Sequence, residues 1–68
     1  GDYEGAIADY NLAINLRPDY SLAYFNRAIA NEEIGNFQSA CKDYKLASTY
    51  AKNSFVNAID QIYLMLCQ

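Results

Sequence analysis

The chain contains one fourteen-residue pattern twice, and the spacing between the two copies constrains its fold more than any other feature. Residues 1–14 read GDYEGAIADYNLAI and residues 35–48 read GNFQSACKDYKLAS, an offset of 34 residues (35 − 1), with six of the fourteen positions identical. A fixed period of this length is typical of repeat proteins, in which each unit can bury its apolar face only against a neighbouring unit. The duplication therefore predicts a stack of equivalent units.

Each copy has the apolar spacing of an amphipathic helix. In the first copy the apolar side chains recur at steps of three and four residues, at Tyr3, Ala6, Ile7, Tyr10, Ala13 and Ile14. Asp2 and Asn36 stand where an N-cap is expected. The first helix should end near Leu16, because Pro18 cannot continue it, and the second copy predicts a helix from residue 36 to residue 50 or 51.

Two further helices are predicted outside the copies. The segment 20–34 contains no glycine or proline; Asp19 is its predicted N-cap, and Gly35 ends it. A polar stretch at 52–54 precedes an apolar segment, 55–67, which is a fourth helix or a straight continuation of the third.

Small residues occupy matching places in these helices, which allows close antiparallel packing: Ala6, Ala13, Ala28, Ala40 and Ala47. The predicted fold is all-α, an α-solenoid of about four antiparallel helices.

Composition bounds the class of protein. The 68 residues carry a net charge of −3 and no cluster of Lys or Arg, which argues against nucleic acid and against an anionic membrane surface. No apolar segment approaches the ~20 residues that span a bilayer. The chain lacks an initiator Met and begins within the pattern, so we expect a fragment of a longer protein.

The residues that usually carry chemistry are few. There is no histidine, and three or four short helices would enclose a catalytic carboxylate or lysine poorly, so we predict no enzyme activity, cofactor or metal site. Cys41 and Cys67 match no zinc or redox spacing. They are interpreted as small apolar side chains in a reduced, cytoplasmic compartment, and a single bridge between them remains the alternative.

The pattern resembles the tetratricopeptide repeat, a 34-residue helix–turn–helix unit. The resemblance rests on Gly-Asp-Tyr at 1–3 and Gly-Asn-Phe at 35–37, and on a set of matching positions: Ala6, Tyr10, Ala13, Pro18, Tyr24, Ala28, Ala40, Tyr44 and Ala47. It implies that residues 1–17 are the second helix of a partial repeat, 19–51 a complete repeat and 54–68 a C-terminal capping helix.

Three residues depart from the family pattern. Arg27 replaces the usual leucine of the first helix, Asn31 its usual aromatic residue, and Lys52 the closing proline. We expect Arg27 and Asn31 to weaken the packing of their helix. Because Arg27 is poorly spaced to pair with Glu32 or Glu33 on its own helix, it is interpreted as part of a solvated face.

The resemblance implies a protein-interaction scaffold that holds a peptide or partner helix on its concave face. The corresponding positions here are Leu22, Phe25, Asn26, Ile29, Glu32 and Glu33. The alternative for the apolar members of this set is packing against a preceding repeat. Asn26 also matches the asparagine of a carboxylate clamp, although the cationic members of such a clamp are not in this chain. A second hypothesis is self-association into a homodimer through the apolar fourth helix and an uncovered first helix.

Overall fold

The computed structural model describes residues 1–67, which form four α-helices in series. The helices are α1 (Tyr3–Leu16), α2 (Ser21–Glu33), α3 (Phe37–Tyr50) and α4 (Phe55–Leu66). Helix α2 packs between α1 and α3, and α4 packs on the far side of α3. The described residues contain no strand. The prediction of an all-α repeat fold of about four helices is confirmed.

The two repeated copies differ in how the start of their helix is capped. The Asp2 carboxylate accepts a hydrogen bond from the Gly5 backbone N–H at 2.9 Å, as its predicted N-cap role requires. Asn36 also occupies the N-cap position of α3, but its side chain makes no capping hydrogen bond. Gly35 has a φ of +83°, the left-handed conformation that allows the chain to leave α2 sharply.

The predicted cap of α2 is wrong. Tyr20, not Asp19, occupies the N-cap position, and no side chain caps this helix. The Asp19 carboxylate instead lies 3.4 Å from the Arg17 guanidinium. The turn is held by the Tyr24 hydroxyl, which donates to the Pro18 carbonyl at 2.8 Å.

Helices α3 and α4 are separate, which excludes a straight continuation through the polar stretch. Asn53 adopts a φ of +65°, a left-handed conformation that asparagine tolerates better than most residues. The chain reverses there and α4 packs back on α3. The reversal also brings Phe55 against Phe25 of α2, with ring centroids 5.4 Å apart.

The core lies between α2, α3 and α4. Its buried members are Tyr24, Ala28, Ala40, Tyr44, Ala47 and Ile59. The three alanines are at most 1% exposed, so no large side chain separates the helices there, and the tyrosine rings fill the space beside them. The close packing predicted at these small residues is confirmed for α2 and α3.

The interpretation of Cys41 and Cys67 as free thiols is wrong. The two form a disulfide with their Cα atoms 5.7 Å apart. Cys41 lies in the first half of α3 and Cys67 directly follows α4. Since α4 folds back antiparallel to α3, the end of one helix meets the start of the other, a proximity that sequence spacing does not reveal.

The capping segment predicted at 54–68 includes Gln68, which lies outside the described residues. The described part of α4 packs through Phe55, Ile59, Ile62 and Tyr63. Its assignment as a terminal cap, like the division into a partial and a complete repeat, stays a prediction. Among residues 1–67, no helix has the length and apolarity that crossing a bilayer requires.

Candidate functional site

Four of the six residues predicted to contact a partner form one outward face of α2. Leu22 is 48% exposed, Ile29 is 38% exposed, Glu33 is exposed and Asn26 is half-buried. Their spacing of four, three and four residues places them along one side of the helix. This face therefore offers two apolar side chains with an amide between them and a carboxylate at its end.

The other two predicted residues are half-buried and contact neighbouring helices. The Phe25 ring meets the Tyr44 and Phe55 rings edge-on, at centroid distances of 5.8 Å and 5.4 Å. Phe25 is thus the link between α2, α3 and α4. The Phe25 side chain is half-buried, so only part of its ring is open to a partner.

Glu32 is held by a tyrosine of the next helix. The Tyr44 hydroxyl donates to the Glu32 carboxylate at 2.7 Å. Burial raises the pKa of Tyr44, and its hydrogen bond to Glu32 raises that pKa further. The hydrogen bond from the protonated phenol ties the Glu32 carboxylate to α3.

Two cavities flank the α2 face. The smaller, about 190 Å³, lies between α1 and α2 and is lined by Tyr3, Ala6, Tyr10, Asn26, Ile29 and Ala30. The larger, about 430 Å³, lies at the start of α2 and is lined by Arg17, Asp19, Tyr20, Ser21, Leu22, Tyr50, Ala51, Lys52 and Phe55. Leu22 and Ile29 are seven residues apart, so the cavities are separated by about 10 Å along the helix.

A polar network that the sequence analysis missed joins the three repeat helices. The Arg27 guanidinium binds both oxygens of the Asp43 carboxylate, at 2.9 Å and 2.7 Å. It also donates to the Asn11 side-chain oxygen at 2.8 Å, and the Asn31 amide donates to Asp43 at 3.2 Å. The Arg27 and Asp43 side chains are only 21% and 5% exposed. The hydrogen bond to Asp43 raises the pKa of Arg27 against the opposing effect of burial.

This network corrects two expectations. Arg27 and Asn31 do not merely weaken the packing of α2, since both bind Asp43 on α3, and Arg27 is not part of a solvated face. The sequence showed two polar residues, four apart, in place of the usual apolar ones, but it did not identify Asp43 as their partner. Within residues 1–67 no buried side-chain nitrogen or oxygen lacks a hydrogen-bond partner, so the network is closed.

Comparison with known proteins gives the same repeat. The family model described as "TPR repeat" matches residues 1–35. Over 52 residues, 76% of this chain, the sequence is 40% identical to serine/threonine-protein phosphatase T of Aspergillus oryzae, and over 47 residues, 69% of the chain, it is 38% identical to protein FlbA of Caulobacter vibrioides. No solved structure matches the chain.

The matched segments cover only 11% of the phosphatase and 8% of FlbA, so the similarity concerns a small part of each relative and not its activity. What the three share is the repeat itself. The 34-residue offset, the alanine-lined packing of α2 on α3 and the match over half of the sequence have one explanation: the chain belongs to the tetratricopeptide repeat family.

Proposed function

We propose that this chain is a protein-interaction module that holds a peptide or partner helix along the outward face of α2. Repeats of this family are typically non-catalytic modules for binding proteins, and the exposed Leu22 and Ile29 are the observation that carries the proposal. A partner that covers these two aliphatic side chains removes them from water, and burying each side chain contributes roughly 1.5–3 kcal/mol to the free energy of binding.

The polar residues of the α2 face determine the orientation in which a ligand binds. The Asn26 side chain can donate to and accept from a peptide backbone, as an extended ligand or a frayed helix end requires. Glu32 is bound to Tyr44 and Glu33 is exposed, so this end of the face is acidic. A ligand with a basic residue near the Glu33 end is the better electrostatic match.

A selection of random peptides against the chain, followed by NMR titration of the selected peptide, tests the proposal. The backbone amides of Leu22, Asn26, Ile29 and Glu33 should shift together. Ile29→Glu should abolish binding, whereas Leu12→Glu introduces the same charge at an exposed leucine of α1 and should leave binding unchanged. Shifts confined to other helices would exclude the α2 face.

Self-association is the second candidate, and the exposed apolar residues of the outer helices favour it. Helix α1 has no buried residue, and on α4 Met65 is 85% exposed and Leu64 54% exposed. Sedimentation at micromolar concentration decides between monomer and dimer. Ile62 packs against the core, so Met65→Glu is the cleaner variant: it should dissociate a dimer formed through α4 without unfolding the monomer. A monomer at all accessible concentrations would remove this candidate.

A further inference from the structure

Two equivalent turns meet at the larger cavity. The first turn, 17–20, joins α1 to α2, and the second, 51–54, joins α3 to α4; the 34-residue offset superimposes one on the other (17 + 34 = 51). Residues from both turns and from the adjoining helix ends line the cavity. The cavity therefore belongs to the junction between successive repeats.

The two turns differ in the residues that they bring to this junction. Tyr50 stands 34 residues after Leu16, and Lys52 stands 34 residues after Pro18. Both substituted residues line the cavity, together with the exposed Leu22 and with Phe55. The first turn has a proline at this position, so the positive charge of Lys52 is particular to the second turn.

The cavity walls are held in place. Tyr50 stacks on Tyr24, with ring centroids 5.7 Å apart. The Ser21 hydroxyl donates to the Ala47 carbonyl at 2.6 Å, which ties the start of α2 to the end of α3. A preformed apolar cavity loses little conformational entropy when it is filled, which favours binding.

The rim of the larger cavity carries more positive than negative charge. The Arg17 guanidinium lies 3.4 Å from the Asp19 carboxylate and 4.8 Å from the centre of the Tyr20 ring. Among the residues that the structure describes, the exposed Lys52 makes no ion pair. The rim thus carries one uncompensated positive charge in a chain whose net charge is −3.

We propose that this cavity is an anchor for a large apolar side chain of the bound protein segment, with an acidic residue next to that side chain paired to Lys52. The proposal rests on the proposed interaction function and extends it. An aromatic or leucine side chain of the partner enters between Leu22, Tyr50 and Phe55, and the neighbouring carboxylate lies over the Lys52 ammonium. The cavity, about 430 Å³, has room for such a side chain.

NMR titration of the ¹⁵N-labelled chain with three capped pentapeptides tests this assignment. The probes are Gly-Asp-Phe-Asp-Gly, Gly-Lys-Phe-Lys-Gly and Gly-Asp-Ala-Asp-Gly, each acetylated and amidated so that no terminal charge contributes. The first should shift the amides of Leu22, Tyr50, Ala51 and Phe55, and it should bind more tightly than either of the others.

Lys52→Glu should weaken binding of the acidic phenylalanine peptide by roughly fivefold, the scale of an exposed ion pair. Lys42→Glu makes the same change of net charge at an exposed lysine of α3 and should leave the affinity unchanged. Equal binding of the acidic and basic peptides, no shift at the cavity up to 5 mM peptide (about the weakest binding that such a titration resolves), or equal losses in both variants would each overturn the anchor. Shifts at Asn26 and Ile29 without shifts at Tyr50 would overturn the anchor while leaving the α2 face as a binding surface.

Discussion

Helices α1 and α3 carry the same pattern but differ in how much of it they bury. Helix α3 buries Ala40, Asp43, Tyr44 and Ala47, whereas none of the equivalent residues of α1 is fully buried. Helix α3 packs extensively against both α2 and α4, whereas the extensive packing of α1 is against α2. The comparison teaches that the repeat sequence specifies which face of a helix can be buried. The number of helices that pack against it determines how much of that face is buried.

The largest expected effect comes from removing the repeated tyrosine. Tyr44 is 2% exposed and Tyr10 is half-buried. Tyr44→Ala should cost about 3–5 kcal/mol, as for other large aromatic residues in cores, which is comparable to the whole stability of a domain this small. Tyr10→Ala should cost at most about 1 kcal/mol. Urea unfolding followed by circular dichroism measures both, and equal losses would show that α1 is as well covered as α3.

The disulfide should give the second largest difference in stability between the two copies. Only the second copy has a bridge, because Ile7 occupies the place of Cys41 in α1. Its removal by Cys41→Ser with Cys67→Ser should lower the free energy of unfolding by about 3–4 kcal/mol, the chain-entropy value for a loop of this length. Reduction of the wild-type chain should give the same loss. If reduction leaves the urea midpoint unchanged, the bridge does not constrain α4 in solution.

The repeated aspartate gives a third contrast. Asp43→Ala leaves the Arg27 guanidinium and the Asn31 amide without their main acceptor, which should cost about 3 kcal/mol, the scale for breaking a buried pair. Asp9→Ala at the exposed first copy should change stability by less than about 0.5 kcal/mol.

The double variant Arg27→Leu with Asp43→Ala separates the value of the ion pair from the cost of leaving one charge unpaired. Removing both charges should recover most of the loss seen for Asp43→Ala, since a buried pair is often no more stabilising than apolar residues of similar size. Urea midpoints of the three variants test this. A double variant as unstable as Asp43→Ala would show that the pair itself contributes net stability.

These contrasts also show which parts of the structure could be predicted from the sequence. The helices and the alanine-lined core depend on residues three, four or 34 positions apart, so periodicity was sufficient to find them. The Arg27–Asp43 pair and the Cys41–Cys67 bridge depend on which helix faces meet, and no periodic signal specifies that. The α2 face was predicted as a set, but a helical period could not distinguish the outward Leu22 from Phe25, which the reversal at Asn53 brings against Phe55.

The smallest effect concerns the Tyr44 hydroxyl and depends on pH. Tyr44→Phe removes the hydrogen bond to Glu32 and should cost about 1 kcal/mol at neutral pH. Burial and Glu32 raise the pKa of Tyr44 in the folded state, whereas in the unfolded chain this tyrosine ionises near its ordinary value of 10.0. The unfolded state therefore loses its proton first, so this stabilisation is complete below pH 10 and declines as the pH rises.

Above pH 10 the advantage of the wild-type chain over Tyr44→Phe should fall by up to about 1.4 kcal/mol per pH unit. It should vanish near pH 11, where the two urea midpoints coincide. All other side chains are the same in the two proteins, so their contributions cancel in the difference. A difference in stability that stays constant from pH 8 to pH 11 would show that Tyr44 ionises as readily in the folded chain as in the unfolded one. That result would contradict the raised pKa that the burial of Tyr44 causes.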